Sequence, residues 1–225
     1  MAGGRKTQNV VALEDLLSEV VTPLLRGAGF RKSSHTYRRR SANGDEAAIW
    51  FRAWSTGAEC SFLLDVWFAS EPVWDLGHFD ADRARAYPRR TQSYDAIMHR
   101  QIGPPPDRWG NWSWSSPQER ATVVALLTRL LVDHVVPLFD LLADRGRLLA
   151  LAAVDQAPVD YRRGAGVHRA LLVDAGPSDA LDELLLHLNA GEREDEHFLA
   201  WANARLNDGP TWQAITAEPE EQDLE

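Results

Sequence analysis

Asn43-Gly44 stands between two strand-like runs, and no other dipeptide constrains the fold of this chain as strongly. A two-residue turn of this kind needs positive φ at both central positions, which Asn and Gly tolerate, and it joins antiparallel strands. The run before it, His35 to Arg40, and the run after it, Ala47 to Ser55, are therefore expected to pair. A third run, Ser61 to Ala69, follows the loop Thr56-Gly57-Ala58-Glu59-Cys60. Period-two alternation puts Ile49, Phe51 and Ala53 on one face, and Phe62, Leu64, Val66 and Phe68 on one face of the next run. A fourth strand is expected over Ile97 to Ile102, stopped by Pro104-Pro105-Pro106.

Helical spacing frames these strands. Leu13, Leu16, Leu17, Val20, Val21, Leu24 and Leu25 make one apolar stripe, and Gly29 suits a left-handed cap. Ser116-Pro117-Gln118-Glu119 starts a second helix, with serine as cap and proline in the first turn. Its almost continuous apolar run from Val123 to Val136 predicts the most buried element, with Pro137 breaking or kinking it before a second piece, Leu138 to Ala143. A short helix is expected at Ala81–Tyr87. Residues 155–170, with Gly164-Ala165-Gly166, read as a linker. Beyond them, a Ser178-capped helix and another from Glu194 to Leu206 suggest a docked helical hairpin. The expected class is α+β, an antiparallel sheet of about four strands packed against helices. Its expected parts are a disordered leader (1–8), a core domain (9–154), a helical extension (155–208) and an acidic disordered tail (209–225). No internal repeat is evident.

Composition narrows the function classes. Cys60 is the one cysteine, which excludes an internal disulfide and zinc sites built on several thiolates. The start lacks the apolar region of a signal peptide, and nowhere do about 18 apolar residues run uninterrupted, so no membrane span is expected and the cytoplasm follows by elimination. Arginine outnumbers lysine 22 to 2, which points to a GC-rich, bacterial source. The net charge of −9 is uneven: residues 1–60 carry +3, 61–110 carry −1 and 111–225 carry −11. An acidic chain repels phosphate backbones, which argues against nucleic acid as a partner and leaves room for a local anion site near the N-terminus.

One surface stands out. A two-residue turn at Asn43-Gly44 would set Tyr37 opposite Trp50 and His35 opposite Arg52. A symmetric second hairpin would set Arg52 opposite Asp65, Trp50 opposite Trp67 and Trp54 opposite Leu63. The resulting face carries His35, Tyr37, Arg39, Trp50, Arg52, Trp54, Asp65 and Trp67, with the Trp109/Trp112/Trp114 loop able to fold over it. Such a lining suits stacking and bidentate hydrogen bonds to a ligand, or the hot spot of a protein interface. Plain packing is the competing account, since cross-strand aromatic pairs stabilise sheets in their own right. Weaker candidates are His78, Asp80 and Asp82 as metal ligands, the Asp133-His134 pair, and the Arg38–Arg40 and Arg83/Arg85/Arg89/Arg90 clusters as anion sites. Cys60 has no base beside it. No catalytic constellation, metal motif or cofactor motif is present.

Residues about 10–145 resemble the bacterial family called domain of unknown function 4304. The resemblance is carried by Val21-Thr22-Pro23-Leu24-Leu25, Gly29-Phe30-Arg31-Lys32 and Thr36-Tyr37-Arg38. Phe51-Arg52-Ala53-Trp54-Ser55, with Arg52 where the family has glutamine, and Asp107-Arg108-Trp109 extend it. It implies an α+β layout and no activity. The function expected from the residues is a non-enzymatic protein-interaction module of accessory or immunity type. The alternative is a small-molecule binder or enzyme working on the aromatic, arginine-lined face.

Overall fold

A computed structural model describes residues 8–54, 60–80, 90–105, 110–154, 164–188 and 193–211. Helix α1 (Gln8–Leu16) runs through a π-helical turn (Leu17–Val21) into α2 (Thr22–Gly27). Strands β1 (Arg31–Ser33), β2 (Thr36–Arg40), β3 (Glu46–Trp54) and β4 (Cys60–Ala69) follow as an antiparallel meander. After α3 (Glu71–His78), strands β5 (Met98–Gln101) and β6 (Trp112–Trp114) both pair with β4, at different places along it. The sheet thus has six strands, against about four expected. The two extra ones, β1 and β6, are three residues each, too short for alternation to betray them.

The first hairpin corrects the expected register. Ser41 N–H bonds to the Asp45 carbonyl and Gly44 N–H to the Ser41 carbonyl, so Ala42, Asn43 and Gly44 form a three-residue loop. Gly44 takes φ +87° while Asn43 does not enter the left-handed region. This is the type I turn closed by a glycine bulge, one residue longer than the two-residue turn. Thr36 therefore opposes Trp50, and Tyr37 opposes Ile49. A slip of one residue reverses a strand's faces. The second hairpin differs by two residues, which keeps the faces and changes the partners: Trp50 opposes Asp65, Arg52 opposes Leu63, Ala48 opposes Trp67 and Trp54 opposes Ser61.

The inner face is the core. Tyr37, Ile49, Phe51, Phe62, Leu64, Val66 and Phe68 meet Leu13, Leu16, Leu17, Val21 and Leu25 of the first helix pair. The second long helix comprises α4 (Pro117–Leu130), another π turn (Leu131–Val135) and α5 (Val136–Ala143). It buries the stripe Val123, Leu127, Leu131, Val135, Phe139 and Leu142 and leaves the rest half-exposed or open, so it is not the most buried element. That is β4, buried along its whole length. Pro137 does not break the helix. Each π turn sits just before a proline, and the reason is local: proline lacks an N–H, and its ring presses on the carbonyl four residues back. The chain widens instead, with Thr22 N–H reaching the Leu17 carbonyl and Val136 N–H reaching the Leu131 carbonyl. The segments Leu17–Leu24 and Leu131–Leu138 share leucine, acid, valine, proline and leucine at equal spacing, a short local recurrence around each proline.

Because it continues through Pro137, the helix Pro117–Ala143 runs 27 residues and is long and apolar enough to cross a membrane by length and composition, which the count of uninterrupted apolar residues did not show. Among the described residues it is the one such helix, and its apolar stripe is seated on the sheet.

The C-terminal part is more than a hairpin. Helices α6 (Arg145–Ala153), α7 (Gly164–Ala175), α8 (Asp179–Leu188) and α9 (Arg193–Asp208) pack in succession, and α7, which covers part of the expected linker, lies against α3 and α6. Val167, Ala170, Leu171 and Leu172 supply its buried face. Glycines at 164 and 166 masked its helical period in the sequence. Ions fasten the unit. Arg205 of α9 donates to Glu71 at 2.7 and 3.0 Å and to Asp75 at 2.7 Å, while Arg145 donates to Asp45 at 2.8 and 2.9 Å, to the Asn43 carbonyl and to Asp174. Residues 1–7 of the expected leader, the helix expected at Ala81–Tyr87, Trp109 and the acidic tail beyond Thr211 lie outside the described residues, while Gln8, expected in the leader, begins α1.

Candidate functional site

The register places a distinct set of side chains on the outer sheet face, turned away from α1 and α4. One row across the strands reads Arg31, Arg38, Ala48, Trp67 and His99; the next reads Ser33, Thr36, Trp50, Asp65 and Gln101. Arg52 and Leu63 follow, and Arg40 and Glu46 lie at the other end. Small Ala48 leaves room for the Arg38 guanidinium to lie over the Trp67 ring, 5.2 Å from its centroid. Arg38 also donates to Glu46 and to the Thr91 carbonyl. Glu46 is buried and accepts from Thr91 N–H and its hydroxyl at 2.9 and 2.7 Å, so this end of the face is closed by satisfied hydrogen bonds.

The other end is open. Trp50 is 37% exposed, and the Arg52 guanidinium stacks 5.2 Å from its centroid. Beneath them Asp65 is 5% exposed, with Arg52 Nη2 at 3.5 Å from one carboxylate oxygen and His99 Nε2 at 3.4 Å from the other. The side chains of Arg52 and His99 are each 40% exposed. Neither contact is a short hydrogen bond. Arg52 Nε, Asp65 Oδ2 and the Trp67 indole N–H are all buried without a hydrogen-bond partner. Unmet buried polar atoms cost about 1–3 kcal/mol each, and two of these three belong to the Arg52–Asp65 pair.

Of the side chains expected on this face, Trp50, Arg52, Asp65 and Trp67 share it. His35, Tyr37 and Arg39 do not, because the three-residue loop turned β2 over. Tyr37 is buried in the core, with its ring edge-on to Phe51 at 5.8 Å. Arg39 covers the Phe30 ring at 4.9 Å and pairs with Asp140 at 2.7 Å, joining β2 to α5. His35 sits in the β1–β2 turn beside Ser34, which has φ +55°, and its Nε2 is 3.8 Å from Glu14. With Lys32 and Arg90 facing Glu14, Asp15 and Ser18, it lines an open cleft of about 550 Å³ whose walls carry opposite charge. Trp54 pairs with Ser61 through its backbone, and its side chain lies outside the described residues, as does Trp109. Trp112 and Trp114 do not fold over the outer face: they belong to β6 and the core, where Trp112 stacks on Phe62 at 6.0 Å and donates to the Ile102 carbonyl.

Arg38 was expected only in the Arg38–Arg40 anion cluster and not on this face, and His99 and Gln101 were not expected as site residues. The signal for the last two was available, since alternation in the fourth expected strand puts them on one face, and only the pairing partner of that strand was lacking.

The weaker candidates resolve more simply. His78 stacks on Trp74 at 4.3 Å, its Nδ1 lies 2.8 Å from the Trp74 carbonyl, and its Nε2 is 3.9 Å from Asp95. Asp82 lies outside the described residues, and among those described no three His, Cys, Asp or Glu side chains are grouped to hold a metal ion. Asp133 and His134 are exposed on their helix, Asp133 facing Arg129 at 3.9 Å. Cys60 is buried, and burial pushes its thiol up to about 11, far from a reactive thiolate.

No family model, curated protein or solved structure matches the chain.

Proposed function

We propose that the chain is a protein-interaction module that contacts its partner through the open end of the outer sheet face. The observation that carries this reading is the exposed Trp50–Arg52 stack over buried Asp65. Tryptophan and arginine supply large contact area and multiple donors, and they dominate the energetics of protein interfaces. The surrounding side chains are held in place: Arg38, Glu46 and Thr91 fix one end of the face, and the strands are rigid elements. The resemblance to the domain of unknown function 4304 agrees with a small α+β module and brings no catalytic residue. An accessory or immunity role fits a chain of this kind.

A small-molecule reading draws on a specific observation too, the half-exposed Arg52 and His99 flanking buried Asp65, which a compact polar ligand would engage. The experiment is affinity capture from the native host with wild type and with the Trp50→Ala/Arg52→Ala double variant, followed by a titration of each purified candidate. A protein bound by wild type and at least about tenfold more weakly by a folded variant supports the interface. A small molecule released on denaturation, with no protein captured, would replace the interface by a ligand site.

A further inference from the structure

The outer face has a charge of its own. The whole chain carries −9, yet the rows of this face bring Arg31, Arg38, Arg40 and Arg52 together with only two carboxylates, Glu46 and Asp65. Both carboxylates are buried; Arg52 and His99 reach solvent beside Trp50 and Asp65, Arg31 reaches it at the β1 edge, and Arg40 reaches it at the Glu46 end. A local cationic surface on an acidic protein steers acidic partners to one place and repels them elsewhere.

Hydrogen-bond accounting has the same sign. Arg52 Nε and Trp67 Nε1 are donors without acceptors, against one unmet acceptor, Asp65 Oδ2. Arg52 contacts Asp65 at 3.5 Å through Nη2 with its Nε buried, and with the side chain 40% exposed the guanidinium still faces solvent. A carboxylate offers two acceptor oxygens in the geometry a guanidinium fork prefers.

We propose that the occupant of this face is an acidic segment of another protein, with one carboxylate on Arg52 and an apolar side chain against Trp50. This rests on the outer face being the contact surface and narrows the chemistry of what it contacts. Phosphate backbones are the weaker fit. Arg38, the cation set deepest in the face, is committed to Glu46 and Thr91, and the chain's overall charge repels a polyanion more strongly than a short peptide.

The test titrates the full chain with a fluorescent glutamate-rich peptide bearing one central phenylalanine, its Glu→Gln counterpart, and a single-stranded oligonucleotide. The acidic peptide is expected to bind best and to lose about tenfold or more in affinity as salt rises from roughly 50 to 500 mM. Arg52→Gln should weaken it several-fold, and so should Arg31→Glu, an exposed edge substitution that spares the Asp65 pair. Equal binding of the Gln peptide, stronger binding of the oligonucleotide, or affinity unchanged in both arginine variants would overturn the proposal, as would light scattering showing the face covered by a second copy of the chain. A captured partner that needs Trp50 but ignores salt and Arg52→Gln would sink the acidic chemistry and leave the contact surface standing. A partner indifferent to Trp50→Ala as well would remove both.

Discussion

The Tyr37 hydroxyl lies 2.8 Å from Thr22 Oγ1 and 3.5 Å from the Leu17 carbonyl, joining the second strand to the first helix where that helix widens around Pro23. Burial raises the pKa of the Tyr37 phenol, with the hydrogen bond to Thr22 pulling it back, so at neutral pH it is a neutral donor. Tyr37→Phe is expected to cost about 1–2 kcal/mol, because it leaves buried polar atoms short of a partner. Thr22→Val should cost a similar amount, and the double variant less than the sum, since both remove one bond. Chemical denaturation of all four proteins measures this. Additive losses would mean that the two side chains do not share a bond.

Gly44 sets the face that β2 presents. Its φ of +87° is a conformation that side chains disfavour, and a Cβ there would come within 3.2 Å of Glu71 Cγ, inside the ion cluster. Gly44→Ala is expected to destabilise by about 1–3 kcal/mol, combining left-handed strain with displacement of Glu71. A thermal melt reads it directly. A variant as stable as wild type would show that the loop is not a glycine bulge.

The elements were legible where they were long. Leu13 to Leu25 declare a helix by their period, the Ser116-Pro117 start and the apolar run from Val123 to Val136 declare another, and Phe62 to Phe68 declare a strand by alternation. The face was harder. Asn43-Gly44 correctly marked a hairpin, but the residue count of the loop was not in the dipeptide: the backbone chose three residues over two, so Tyr37 went to the core and Arg39 to the rim of the inner face while Arg38 came out. The second hairpin was off by an even number, so Trp50, Arg52, Asp65 and Trp67 stayed together with different partners. Asp45, Glu71, Asp75, Asp174, Arg145 and Arg205 sit on five separate segments, with Glu71 and Asp75 sharing α3, and nothing local foretells that they meet.

Cys60 should be chemically silent in the folded chain. Its thiol is buried, points at the Asn9 carbonyl 3.5 Å away, and is pushed up to about 11 by loss of water, with Arg120 offsetting part of that. At pH 8 alkylation should follow global unfolding rather than a local reaction, so its rate should rise with denaturant in step with the unfolded fraction. Fast alkylation without denaturant would show that the strand end carrying Cys60 opens on its own.

Arg205 is the clasp between the C-terminal helices and the sheet domain. It is buried, it contacts Glu71, Asp75 and Asp174, and its guanidinium lies 5.8 Å from the Trp201 centroid. Arg205→Met keeps much of the volume and takes the shared cation from three carboxylates, two of them buried, so a loss of about 3–5 kcal/mol is expected. The loss should appear as protease cuts around α7 to α9 before the sheet is attacked. Cuts spread evenly over the chain would mean that the helices and sheet unfold as one unit.

Asp45 makes the same cluster sensitive to pH. Burial pushes its carboxyl above the ordinary value of 3.8, and the hydrogen bonds and charge of Arg145 only partly reverse this. The folded chain therefore takes up this proton at a pH where the unfolded chain has not. Between the ordinary value and the raised one the folded state holds more protons, so this group's contribution grows as pH falls and is lost as pH rises through the raised value. Asp45→Asn removes the titration while keeping the size and one acceptor oxygen for Arg145. The stability of wild type minus that of the variant should accordingly move toward wild type as pH drops from about 7 to about 4, read from denaturation midpoints at unchanged m-value. A difference that stays flat, or moves toward the variant, would mean that Arg145 outweighs burial at this carboxylate and that the cluster holds Asp45 as a fully paired anion.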